Sequence, residues 1–358
     1  MAFVSTLGQA LDQVERLKTL QSQLGTLQTQ LTTGKKTDLF KGLGSDVIAS
    51  KKARANFNAL DNYLNNITIA SRRIEMTSSV IEEVQAQSRN LLGTLEGQTQ
   101  QGEYEIEILS DYAKNLKGFV YSLLNEKDGD RYVLGGANTL SKPLTDTGGL
   151  DTYTTKQITD WVNGAITTDQ FMQSYQDSAQ LTDTIIGYSP ELSSGQTKNI
   201  TVRVDDNAEI DYTVKANATP FRNILIAISM IENIDQVIDE VTLDPADNPA
   251  TTVTAPGATQ AEQNDNFYRV FNDIAAMMNK ALDQIDDERF KLAQAQAQIT
   301  QIGENHKIEK NTLSNTIANV ENVDINEVAL KLNTLTIQLE ASYRVTATVS
   351  ALNLTKFL

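Results

Sequence analysis

Cysteine is absent from these 358 residues, which removes disulfides, thiolate metal ligands and a cysteine nucleophile together. Histidine is almost absent. His306 is the only one, so a two-histidine metal site is excluded and any Ser-His-Asp triad would have to use that residue. No apolar run approaches the roughly 18 residues that cross a bilayer, and Met1-Ala2-Phe3-Val4-Ser5 lacks the basic region and apolar core of a secretory signal. Positive charge is also short: 30 Lys and Arg face 46 Asp and Glu, a formal net charge of −16. Nucleic acid and anionic membrane surfaces reward clustered cations, so neither is an expected partner, and no membrane insertion is expected. Zero cysteine suits a chain exported unfolded into an oxidising exterior.

What the chain does have is an apolar stripe at each end. Phe3, Leu7, Leu11, Val14, Leu17, Leu24, Leu27 and Leu31, with Leu20 among them, recur in steps of three or four. Near the other end, Val328, Leu332, Leu335, Leu339, Val349 and Leu352 fall in near-heptad register with Ile325 and Val345, interrupted by Ser342 and followed by Leu354. Such steps place side chains along one side of a helix, and sustaining them over several heptads marks a coiled-coil seam. Each terminal segment therefore wants a partner helix. The expected arrangement pairs the two ends, with the rest of the chain inserted between them. Alone, each helix must fix its backbone at about 1 to 2 kcal/mol per residue while its stripe stays wet. These residues are the candidate assembly interface.

Between the stripes the pattern changes. Thr32-Thr33-Gly34-Lys35-Lys36-Thr37-Asp38 and Gly42-Leu43-Gly44-Ser45-Asp46 are turn-prone and end the first helix. Helical periodicity resumes from Phe57 to Leu95, with a break expected at Gly102, and again from Tyr104 to Leu123. Lys127-Asp128-Gly129-Asp130 reads as a turn into the short β-prone run Arg131–Leu134, with a hairpin partner expected near Lys142-Pro143-Leu144. Ile200, Val202 and Val204, then Ile210, Tyr212 and Val214, alternate with polar residues on either side of a short link and predict a second hairpin. Thr219-Pro220 opens a helix carrying Phe221 to Ile238, a proline-bearing loop runs from Leu243 to about Ala261, and a long helix pair follows with a break near Asn322-Val323-Asp324. On the first of that pair the heptad count from Phe267 arrives at His306, which predicts a packed or register-setting residue rather than a ligand or general base.

Sharper chemistry finds little support. Asp205-Asp206-Asn207 with Glu209 and Asp211 could bind calcium, but the EF-hand glycine and distal Glu are missing. Gly42-x-Gly44 lacks the third glycine and the preceding buried strand of a phosphate cradle. Trp161, Phe171 and Tyr175 stand at helical spacing and predict a small core rather than a sugar platform. No cofactor and no catalytic or metal-binding residue is expected.

Three segments carry a family resemblance. Leu27-Gln28-Thr29-Gln30-Leu31-Thr32-Thr33-Gly34-Lys35-Lys36 and Leu335-Thr336-Ile337-Gln338-Leu339-Glu340-Ala341-Ser342-Tyr343, continuing to Leu354, resemble the terminal helices of bacterial flagellins and their hook-associated relatives. Gly129-Asp130-Arg131-Tyr132-Val133-Leu134-Gly135-Gly136, followed by Lys142-Pro143-Leu144, is similar to a signature of the hook-filament junction proteins (hook-associated protein 3). In place of the usual polar stretch of well-known flagellins stands Asp38-Leu39-Phe40-Lys41-Gly42-Leu43-Gly44, so turn positions do not carry over.

The resemblance implies a mainly α fold: an elongated rod with N- and C-terminal helices paired in a coiled coil and a small α+β central insert. The implied division is 1–45 with 322–358 as a terminal coiled-coil domain, 46–145 with 262–321 as an inner helical domain with a β-hairpin, and 146–261 as an outer insert. It implies a non-enzymatic structural subunit of the bacterial flagellum, contributing to motility. Such a subunit is extracellular and leaves through the type III export channel without a cleaved signal. Its implied partners are further copies, other flagellar axial proteins including hook-associated proteins and flagellin, and an export chaperone. Within the family the Arg131–Gly136 signature favours the junction protein over a major or minor filament flagellin. A coiled-coil secretion-apparatus tip protein is a separate reading, and an enzyme acting through carboxylates a third.

Overall fold

A computed structural model of the chain describes residues 2–101, 103–234, 241–242 and 255–354. From the N-terminus the elements are α1 (Ala2–Thr33), a 3₁₀ segment (Phe40–Asp46), α2 (Val47–Gln101), β1 (Glu103–Tyr104), α3 (Ile106–Leu124), β2 (Lys127–Asp128) and β3 (Arg131–Tyr132). Then come α4 (Gly149–Val162), α5 (Thr168–Ser174), α6 (Asp183–Ile186), α7 (Pro190–Ser193), β4 (Thr201–Asp205) and β5 (Ala208–Asp211). The chain finishes with α8 (Thr219–Ile234), β6 (Val241–Thr242), α9 (Gln260–Glu321) and α10 (Ile325–Leu354). The fold is mainly α, with β1–β6, β2–β3 and β4–β5 each pairing as a small antiparallel ladder.

Two compact units form, Met1–Asn62 with Glu304–Leu358 and Tyr63–Gly303. The long helices α2 and α9 contribute to both, because each carries an unbroken helical period and no internal proline.

In the unit of residues 63–303, α2 and α9 run antiparallel. Gln296 donates to Ser71, Gln85 donates to Asp286 and to the Leu282 carbonyl, and Arg289 reaches Glu82. α8 packs against α3 and α4. It is apolar nearly all round, and Phe221, Ile224, Leu225, Ile228, Met230 and Ile231 are all buried, the expected fate of a helix with no polar face.

One cation is buried in that packing. The Lys117 ammonium lies 2.7 Å from Asp151 and 2.5 Å from Glu232, and Ser229 and Asn233 of α8 also donate to Asp151. Burial acts to lower the Lys117 pKa, but its hydrogen bonds to Asp151 and Glu232 outweigh it and the net shift is upward. Polar satisfaction of this kind ties α3, α4 and α8 into one arrangement.

Nearby, Trp161 stacks on Phe171 with centroids 5.3 Å apart, and Phe171 meets Tyr175 edge-on at 5.3 Å. The indole N–H donates to Thr168, which is bonded in turn to Asn266 of α9. This is the small core that the aromatic spacing predicts. The predicted boundary at residues 322–324 is also present, between α9 and α10, and the predicted strands near 200–214 pair as β4 and β5. The stretch around Pro245 and Pro249, with Ile238, lies outside the described residues.

The first hairpin differs from expectation. Arg131–Tyr132 pair with Lys127–Asp128 across Gly129-Asp130, not with the segment near Pro143. Gly129 adopts φ 63°, which a tight turn of two central residues requires and glycine supplies without strain. Leu144 instead bridges Tyr188.

Candidate assembly interface

Within the unit built from residues 1–62 and 304–358, α1 and α10 lie against each other. Gln13, Leu17, Leu20, Leu24, Leu27 and Leu31 are half-buried, a regular four-three repeat along α1. Facing residues on α10 are Val328, Leu335 and Leu339, all buried, with Leu332, Ser342 and Thr346 half-buried in the same repeat. This is the heptad geometry of a two-helix seam. Ser342 therefore continues the seam as a small polar member rather than interrupting it. Further along, Gln21 donates to the Tyr343 hydroxyl at 2.7 Å.

Not every candidate residue enters that seam. Leu11 and Val14 are 62% and 59% exposed, on a different side of α1. The side chains of Phe3, Leu7, Val349, Leu352 and Leu354 lie outside the described residues, although their backbone belongs to α1 and α10. The pair also carries apolar residues on the outside of α10: Leu330, Ile337 and Val345 are more than half exposed. A groove of about 530 Å³ opens between the helices, lined by Thr26, Leu27, Leu330, Thr334 and Leu335 among others. Two packed helices thus satisfy one stripe each and leave further apolar side chains in water.

Where α1 gives way to α2, and α9 to α10, the two crossings are clasped. Lys36 N–H donates to the Glu321 carbonyl at 2.7 Å and Val323 N–H to the Gly34 carbonyl at 2.9 Å, which makes a one-residue β-bridge of Lys35 with Asn322. The Lys36 ammonium reaches the Asn319 carbonyl and Gln30 donates to the Lys36 carbonyl. Glu321, buried, accepts from Ser50 at 2.6 Å and from Arg54 at 2.7 and 2.5 Å. The Arg54 hydrogen bond dominates and holds the Glu321 carboxyl down at about 2. Periodicity could not have revealed this group, because its partners are 267 and 271 residues apart in sequence.

On α9 of the same unit His306 is 6% exposed, packed as its place on the stripe predicts.

The Gly135-Gly136 pair has its own reason. Gly136 sits at φ 61°, and a Cβ there would come within 2.6 Å of Thr197 and 3.3 Å of the Lys198 carbonyl. Ala137 donates to Lys198, Ala216 donates to Leu134, and Gly135 bridges Lys215. Val133 and Leu134 are buried behind it. The glycines let the chain leaving the first hairpin press onto the backbone flanking β4 and β5.

Sequence profiles of two regions match the chain: the bacterial flagellin N-terminal helical region over residues 4–139 and the bacterial flagellin C-terminal helical region over residues 275–358. Together they take in more than half of it. Curated protein sequences give no match. A solved structure from Vibrio parahaemolyticus, assigned provisionally as a flagellar hook-associated protein, is similar at 12% identity and a TM-score of 0.43 over 76% of this chain and 97% of that one.

Proposed function

The chain belongs to the bacterial flagellin family, and from that premise we propose that this structural subunit of the flagellum serves as the hook-filament junction protein, assembling through α1 and α10. The observation that carries the assembly reading is that the terminal pair leaves apolar side chains uncovered on the outside of both helices: Leu11 and Val14 on one, Leu330, Ile337 and Val345 on the other. Covering such surface gains about 25 cal/mol per Å². Neighbouring copies and other flagellar axial proteins are the proposed cover, reached after export without a cleaved signal and with the help of an export chaperone. No catalytic role is proposed, since the family is a structural one.

The choice of junction over filament flagellin rests on the Arg131–Gly136 signature, whose glycines meet a steric demand at Gly136. Electron microscopy of cells lacking the protein tests it. Hooks that remain while filaments are shed into the medium support the junction role; missing filament on an intact junction supports a filament flagellin; normal flagella contradict both. We also propose the three-part division 1–45 with 322–358, 46–145 with 262–321, and 146–261. Limited proteolysis should cut first between these parts, and early cuts inside 46–145 count against it.

A further inference from the structure

In a chain of net charge −16, six cations crowd between Lys35 and Arg54, with only Asp38 and Asp46 against them. Lys35 and Lys36 belong to the clasp, and Arg54 is spent on Glu321. Lys41, Lys51 and Lys52 are exposed, and no carboxylate among the described residues pairs with them. They frame apolar surface: Leu39 is 72% exposed, Phe40 45% and Ile48 75%. The pieces form one face. Ile48, Lys51 and Lys52 are neighbours on the first turns of α2 by their three- and four-residue spacing, and the Lys51 ammonium lies 5.6 Å from the Phe40 ring centroid. Greasy residues rimmed by unpaired cations call for an apolar, acidic partner.

A face of complementary chemistry exists on the other unit. Phe290 of α9 is 71% exposed. Asp283 and Asp287, seven and three residues before it, share its side of the helix and are exposed. The nearby cations Arg289 and Lys291 are engaged by Glu82, Asp286 and Glu288. Arg89 of α2 is likewise engaged by Asp286, which leaves Asp283 and Asp287 against Lys280 along α9.

We propose that the Phe40–Ile48–Lys51–Lys52 face of one copy docks on the Asp283–Asp287–Phe290 face of another. The proposal rests on the reading of this chain as a self-assembling subunit and names a contact separate from the terminal seam. Because the two faces differ, the contact is head-to-tail, and repetition builds a ring or an open array.

The lack of cysteine makes the test clean. Full-length Phe40→Cys and isotope-labelled Phe290→Cys copies are mixed under mild oxidation and the cross-linked dimers weighed. The 40-to-290 product should exceed either like-with-like product several-fold; a predominance of 40-to-40, a statistical mixture or no cross-link overturns the proposal. Charge reversal supplies the second arm, read by sedimentation of the full-length chain at low salt. Lys51→Glu with Lys52→Glu, or Asp283→Lys with Asp287→Lys, should weaken self-association about tenfold, and a mixture of the two variants should restore it by pairing reversed faces. Unchanged association of either variant, failure of the mixture to recover, or a wild-type chain that stays monomeric overturns the contact. The flagellar reading is judged separately, on the phenotype of cells lacking the protein.

Discussion

Glu321 accepts from Ser50 and Arg54 at once, and its carboxyl titrates at about 2 rather than 4.5. A carboxylate whose folded pKa is depressed contributes stability above its unfolded pKa and loses it as pH falls through the folded value. Its contribution is therefore complete above about 4.5 and fades between about 4.5 and 2. Glu321→Gln should cost about 1 kcal/mol at neutral pH, modest because the Arg54 side chain is 43% exposed and water screens the pair. Urea unfolding at a series of pH values should show that deficit constant from pH 7 to about 5 and shrinking below about 4.5; a deficit that grows in acid contradicts the assignment. Trp161 makes a second residue-level prediction. It is fully buried between Phe171 and Thr168, so Trp161→Ala should cost about 3 to 5 kcal/mol by circular dichroism-monitored unfolding. A loss under about 1 kcal/mol would mean that this small core collapses freely around the gap.

Helices were the most legible part of this chain, because a stripe repeating every three or four residues over thirty or more leaves one conformation that buries it. The first helix and the long pair at the end follow from apolar spacing, and the break within that pair from Asn322-Val323-Asp324. Partners in space were less legible. β3 pairs with the four-residue-distant β2 because Gly129 permits a tight turn, a local option that the β-prone run at Arg131–Leu134 does not advertise. The outer residues Leu330 and Ile337 lay off the main stripe although their seven-residue spacing was readable, and the role of Ser342 inside the seam emerged only from its burial. These outer positions make the element-level prediction. Leu330→Ser with Ile337→Ser should change the stability of the lone chain by less than about 0.5 kcal/mol, as exposed sites do, yet abolish sedimentable assemblies. Leu335→Asp with Leu339→Asp should abolish assembly by a different route, parting α1 from α10, which nitroxide labels at Gln21 and Tyr343 would report. If the outer pair of substitutions leaves assembly intact, the uncovered surface is not the contact.

The chain divides its labour between a unit with a deep core, residues 63–303, and a unit whose terminal helices share a single narrow seam. The first buries Phe221, Phe267, Phe271, Leu91 and Leu109 fully. The second keeps Leu11, Val14, Leu330 and Ile337 wet. Marginal helices gain most of their stability from burial of an apolar face, so under the proposed assembly the ends should fold firmly only when neighbours arrive. Removing residues 1–31 or 325–358 should leave a folded core, seen by an unchanged cooperative melt, that no longer assembles. Hydrogen exchange followed by mass spectrometry, comparing the free chain with the assembled protein, reaches the central claim most directly. The account predicts rapid exchange along α1 and α10 in the free chain and strong protection once assembled, with α3 and α8 protected in both; full protection of both terminal helices in the free chain would contradict it.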